Sequence, residues 1–83
     1  MAEIKSVDIP INEWTEVTDA DCYYQNRSNG DILITQNSDT PDNLDDAFVV
    51  QPKKTGNYTA DDDKLWAYRT FEGSCSVVYQ ATS

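Results

Sequence analysis

Residues 65–80, LWAYRTFEGSCSVVYQ, decide the fold class of this chain. Aromatic and β-branched residues stand on both sides of Glu72-Gly73, which predicts two strands joined by a two-residue turn. In that register Trp66 faces Tyr79, and one face of the pair is apolar and aromatic. We therefore predict a closing β-hairpin that covers a core on one side.

The rest of the chain carries strand signals and no helical periodicity. Segments rich in β-favouring residues are separated by turn formers such as Asp19-Ala20-Asp21 and Ser28-Asn29-Gly30-Asp31. Their spacing of roughly 8 to 12 residues is typical of a sandwich or a small barrel. We predict an all-β single domain over residues 1–83, a small antiparallel β-sandwich or barrel of about seven short strands.

Two polar loops carry many of the acidic residues. The longer runs from Asn37 to Asp46, where we expect one helical turn capped by Asp42, and the shorter is Asp61-Asp62-Asp63. Their carboxylates could bind calcium, but their spacing does not match the known calcium-binding loop. We expect no metal and no cofactor, and we leave open whether either loop binds a cation or a partner. The calcium candidates in the longer loop are Asp39, Asp42, Asp45 and Asp46.

The composition and the length of the chain predict a folded protein that contacts with a partner would stabilise. Apolar residues make up 39% of the chain and aromatic residues 11%, which is too hydrophobic for a disordered acidic tail. A domain of this size buries only about 60 to 65% of its unfolded surface, so contacts with neighbours would stabilise it. A net charge of −9 would repel nucleic acid and anionic membranes.

The start of the chain has no apolar signal region, and nowhere is there an apolar run of the ~20 residues that a membrane span needs. We expect synthesis in a cytoplasm and no secretion. Cys22 and Cys75 are accordingly expected to be reduced, buried residues and not a disulfide.

Catalysis is not expected from this set of residues. The chain has no histidine, which removes the usual general base near neutral pH. Neither cysteine has an adjacent Arg or Lys to lower its thiol pKa, and the aspartates stand mainly in polar turns where nothing raises a carboxyl pKa. We predict that the protein is not an enzyme.

The predicted pattern divides the apolar residues into a core set and an interface set. Tyr23 and its neighbour Tyr24 point to opposite faces of one strand, so one of them faces outward. Residues 1–11 precede the regular strand pattern and are predicted to form an N-terminal arm that reaches a neighbouring subunit. The predicted core is Trp66, Tyr68, Val77, Tyr79, Ile32, Ile34 and Phe48, and the interface candidates are Ile4, Val7, Ile9, Tyr23, Arg69 and Phe71.

Several short segments together resemble small β-sandwich proteins and modules from the virions of tailed bacteriophages. Such modules carry a "W-T-x-V" segment, then "x-Q-N-x-S/G" with a hydrophobic strand, then "x-W-A-x" with a closing strand. The matching segments span most of the chain and are Trp14-Thr15-Glu16-Val17, Tyr24-Gln25-Asn26-Arg27-Ser28, Ile32-Leu33-Ile34 and Leu65-Trp66-Ala67-Tyr68-Arg69.

This resemblance implies a non-enzymatic structural protein located in the virion, such as a head decoration protein, a fibre or an adaptor module. It also implies a homo-oligomer, with a trimer as one candidate state, that contacts other virion proteins. No catalytic residue of these modules transfers to this chain.

Two other classes of function stay open from the residues alone. A carbohydrate-binding β-sandwich would be a monomer with an exposed sugar-stacking row of aromatic residues. An acidic inhibitor of a nucleic-acid-binding enzyme would space its carboxylates along one face like phosphates, and its binding would weaken with salt. The candidate stacking residues are Tyr23, Tyr24, Tyr58, Trp14 and Trp66.

Overall fold

The computed structural model describes residues 4–42, 44 and 47–82, and these residues form an all-β sandwich. Sheet A has the strand order β1-β8-β3-β6, sheet B has the order β2-β7-β4-β5, and all neighbouring strands are antiparallel. The predicted fold class is therefore confirmed. The strands are β1 (Ile4–Asp8), β2 (Thr15–Thr18), β3 (Cys22–Asn26), β4 (Ile32–Asn37), β5 (Phe48–Val50), β6 (Thr55–Tyr58), β7 (Lys64–Tyr68) and β8 (Ser76–Ala81).

The predicted closing hairpin is wrong. Strand β7 lies in sheet B between β2 and β4, whereas β8 lies in sheet A between β1 and β3. Trp66 pairs with Glu16 and Thr35 and not with Tyr79. The reason is that β7 ends at Tyr68 and β8 begins only at Ser76, so residues 69–75 form a connection that crosses between the sheets and not a tight turn.

The core lies between the two sheets, and it uses the opposite face of β7 from the one predicted. Leu65 and Ala67 are buried in the core cluster. Because side chains alternate along a strand, Trp66 and Tyr68 lie on the outer face of sheet B, where Trp66 is buried outside the core cluster and Tyr68 is half-buried. Small Ala67 therefore faces inward, and not the larger Trp66 and Tyr68 of the predicted core.

The remaining core predictions divide between correct and incorrect. Ile32, Ile34 and Val77 are buried in the core, and Tyr79 packs against it, as predicted. The prediction of Phe48 as a core residue is wrong, since 78% of its surface is exposed. Its strand β5 is at the edge of sheet B, where the sandwich does not cover it.

Residues 4–8 of the predicted N-terminal arm form strand β1, which pairs within its own chain. Residues 4–8 pair with β8, with Val7 opposite Val77. Val7 packs against the core, and Ile9 is only 1% exposed, so neither is a free interface residue. The apolar alternation of this segment is the pattern of a strand with an inward face. Residues 1–3 of the predicted arm lie outside the described residues.

A buried amide joins the two sheets. Asn26 ends β3 with no exposed surface, and its Nδ2 donates to the carbonyl oxygens of Gly30 at 3.0 Å and of Val50 at 2.9 Å. The Ser28 hydroxyl contacts Asn26 Oδ1 and lies 2.9 Å from the Gly30 carbonyl oxygen. Buried polar groups are tolerated only when they are hydrogen-bonded. Asn26, at the end of β3 in sheet A, satisfies this condition through Val50 of sheet B and through Ser28 and Gly30 of the loop between β3 and β4.

Asn26→Asp is expected to lower the free energy of unfolding by on the order of 3 kcal/mol. The substitution keeps the shape but replaces the Nδ2 donor with an oxygen that faces the carbonyls of Gly30 and Val50. Urea unfolding measures the loss, and the control is Asn57→Asp at an exposed position on β6. Equal losses in the two variants would contradict the role of the Asn26 amide.

Candidate functional site

The two thiols are buried and protonated. Cys22 and Cys75 are both free and buried, as predicted. Burial raises the pKa of the Cys22 thiol from 9.0 to about 11, and the Asp21 carboxylate adds to the rise. Burial also raises the pKa of Cys75, although the Ser28 hydroxyl and the Arg69 guanidinium act in the opposite direction. Neither sulfur is placed to act as a nucleophile near neutral pH.

The acidic residues do not gather into a metal centre in the part of the chain that is described, where no group of three or more His, Cys, Asp and Glu side chains could hold an ion. Asp21 accepts a hydrogen bond from the Ala60 amide at 2.8 Å, and Asp63 accepts one from Gln36 Nε2 at 3.3 Å. These two carboxylates hold the Asp61–Asp63 loop to its neighbours. Asp45 and Asp46 of the calcium prediction lie outside the described residues, and the described part of their loop has no helical turn.

Arg69, an interface candidate, donates hydrogen bonds to carbonyl groups of its own chain. Its Nε donates to the Ile9 carbonyl at 2.6 Å, and its Nη1 donates to the Phe71 carbonyl at 3.1 Å and to the Gly73 carbonyl. These bonds tie the connection between β1 and β2 to the connection between β7 and β8. The sequence left open whether Arg69 faces solvent, the other sheet or a neighbouring subunit, and the bonds seen here join its guanidinium to carbonyl groups of its own chain.

Phe71, the other interface candidate from this region, also packs inward. Its ring contacts the core and lies over Gly30, where a Cβ atom would stand 2.7 Å from the ring. The Arg69 guanidinium lies 5.5 Å from the centre of the same ring. Phe71 therefore fills the end of the sandwich and is half-buried.

Ile4 and Tyr23 are the interface candidates that the structure leaves exposed, at 68% and 56%. Gln80 on β8 pairs with Ile4 of β1 on one side and with Tyr23 of β3 on the other, so the three residues form one row across sheet A. They line a shallow groove of about 300 Å³ on the outer face of sheet A, and Arg27 is its charged lining residue. The lining of the groove thus carries one positive charge on a chain with a net charge of −9.

The five aromatic residues of the predicted sugar-stacking row do not all lie on one surface. Tyr23 is on the outer face of sheet A, whereas Tyr24 packs against the core and Tyr58 is buried in it. Trp14 packs against Tyr68 in a tilted arrangement, with ring centres 5.1 Å apart and planes at 52°. Trp66 lies on the outer face of sheet B and donates from Nε1 to the Asn37 carbonyl at 3.0 Å. No flat platform results from these placements among the described residues.

Among the large apolar residues that the structure describes, Phe48 on β5 is the most exposed, and its neighbour Val49 is 60% exposed. Strand β5 pairs with β4 on one side, and no described strand pairs with its other side. We call Phe48, Val49 and the backbone side of β5 that faces away from β4 the β5 edge. Its amide and carbonyl groups, together with two apolar side chains, form a surface that can accept another strand.

A cleft between the sheets opens beside the β5 edge. It has a volume of about 190 Å³ and is lined in part by Tyr24, Ile34, Tyr58 and Leu65, with Phe48 also contributing. Phe48 is opposite Ile34 in the register, so its side chain belongs to the inward face of sheet B yet lies in solvent. The core is therefore less completely covered at this edge.

Sequence reasoning missed the β5 edge because Phe48 was assigned to the core by its hydrophobicity. The signal that could have found it is the short strand itself, with a turn-rich loop before it and Pro52 after it. Short strands bounded by proline are typical of sheet edges.

No protein-family model, curated protein or solved structure matches this chain. No helix in the described part of the chain is long and apolar enough to cross a membrane.

Stability is expected to fall as the pH rises from 9.0 to about 11 because of Cys22. The unfolded chain ionises this thiol at its ordinary pKa, whereas the folded chain keeps it protonated. The stabilisation is therefore complete below the ordinary pKa and is lost as the pH passes through the raised one. The urea midpoint should fall less steeply over this range in Cys22→Ala than in the native chain, and equal slopes would contradict the assignment.

Proposed function

We propose that this chain is a non-enzymatic structural or assembly protein that acts through protein-protein contacts in the virion of a tailed bacteriophage. The observation that carries the proposal is the β5 edge, where Phe48 and Val49 are 78% and 60% exposed on a strand that, among the described strands, pairs on one side only. Exposed apolar residues on a small soluble domain commonly mark a surface that a partner covers.

The electrostatics support protein contact over the alternatives. Residues 47–51 carry no charge although the chain has a net charge of −9, and interface centres are depleted of charged residues. The aromatic residues are dispersed over both outer faces and the core, which counts against a glycan-binding platform. The buried thiols and the absence of histidine from the sequence support a role without catalysis.

The virion assignment rests on the sequence resemblance, and the physical properties of the chain are compatible with it. A domain with so small a core gains stability from contacts with neighbouring subunits and with other virion proteins. Synthesis in the host cytoplasm fits two free cysteines.

Phe48→Ser is expected to lower the mass of the native assembly in solution, because it removes an exposed ring that a partner would cover. Its own stability should change by no more than about 0.5 kcal/mol, since the side chain is largely in solvent. Light scattering after gel filtration measures the mass, and urea unfolding measures the stability. The control is Tyr23→Ser at an exposed position on the other sheet, which should keep the native mass.

An unchanged mass in Phe48→Ser, or a native chain that is monomeric at every concentration, would contradict assembly through the β5 edge.

The virion assignment predicts that peptides of this chain occur in gradient-purified particles of the phage that encodes it. Their amount should stand in a fixed ratio to the main capsid or tail protein, because structural proteins occupy symmetric positions. Quantitative mass spectrometry measures this ratio. Absence of the peptides from the particles, with the chain present in the infected-cell lysate, would contradict the assignment.

A further inference from the structure

We propose that the β5 edge binds β5 of a second copy of this chain in an antiparallel pair, with Val49 of each copy facing the other across a two-fold axis. This inference rests on the proposed function, since it names the partner for the same surface. The result would be a symmetric dimer in which sheet B continues from one copy into the next.

The backbone of β5 is suited to this pairing. Among the described strands the backbone of β5 pairs with β4 alone, and the Val50 carbonyl also accepts from Asn26 Nδ2 of β3, so the remaining groups on the other side are available to an added strand. Antiparallel pairing of two identical strands places each residue on one strand opposite a fixed residue of the other and generates two-fold symmetry. The same surface then serves both copies.

The apolar residues of β5 are complementary to the same residues of a second copy when Val49 lies on the two-fold axis. With Val49 at the axis, Phe48 of each copy lies opposite Val50 of the other, and the three apolar residues pair only among themselves. The register within each copy places Ile34 beside Phe48 and Ile32 beside Val50. On the inward face, each row would therefore run from Ile34 and Phe48 of one copy to Val50 and Ile32 of the second copy. These rows bury the Phe48 ring beside the open cleft.

The charge of the β5 segment favours a second copy at this edge. Residues 47–51 carry no charge, whereas the chain as a whole has a net charge of −9. Two copies repel each other through their acidic surfaces, so an uncharged strand is the place where they can approach with least repulsion.

The other three sheet edges are less suited to self-pairing. Strand β1 carries Lys5 and Asp8, and β2 carries Glu16 together with a shift of register after it. Charges and bulges of this kind protect edges from pairing. Strand β6 contains Gly56, over which the Tyr24 ring packs, and Asn57. The edge at β5 combines exposed apolar side chains with an uncharged strand.

The test is disulfide formation by Val49→Cys under mild oxidation. Facing residues of an antiparallel pair have Cα atoms roughly 4.5 to 5.5 Å apart, which a disulfide can bridge. We expect a covalent dimer to form at least about tenfold faster than in Tyr23→Cys, because pairing raises the effective concentration of the two thiols. Tyr23 is a matched control with similar exposure, 56% against 60%. The native chain, with both thiols buried, should not cross-link.

Equal rates of cross-linking in Val49→Cys and Tyr23→Cys would overturn the pairing. If they occur while light scattering still shows an oligomer that Phe48→Ser dissociates, the proposed function stands and this partner geometry fails. If the native chain is a monomer throughout and Val49→Cys cross-links no faster than its control, both fail.

Discussion

The side-chain amide of Asn26 joins the two sheets of this sandwich at one end, and much of that end is arranged around it. Its Nδ2 bonds the carbonyls of Gly30 and Val50, while its backbone bonds residues 53 and 54 beyond β5. A buried amide of this kind costs several kcal/mol if it loses its partners, so it holds the packing to one arrangement. The position of β5 relative to sheet A follows from these bonds.

This constraint also explains why the β5 edge is exposed. Because the chain turns at residues 51–54 toward β3, strand β5 is short and ends sheet B. Phe48 keeps the inward register of its strand but lies beyond the reach of sheet A, and most of its ring stays in solvent. In the proposed dimer the second copy covers this ring, so the fold and the assembly of the protein are linked through one strand.

The strand content could be predicted from the sequence because alternation and turn formers are local signals. Alternation defines two faces but not which one is inward, and this is why Trp66 and Tyr68 were placed in the core instead of Leu65 and Ala67. The pairing of β7 with β8 failed because a long-range choice between two sheets is not encoded at Glu72-Gly73. The motif around Asn26 was recognised by resemblance, but its role depends on Val50, a residue far along the chain.

Hydrogen exchange of the β5 amides at increasing protein concentration tests the central claim most directly. The account predicts that amides within residues 48–50 on the side away from β4 exchange rapidly at low concentration and become protected as the dimer forms. Amides of the central strand β7 should stay protected throughout. Rapid exchange at the β5 edge at every concentration, with β7 protected, would contradict assembly through this strand.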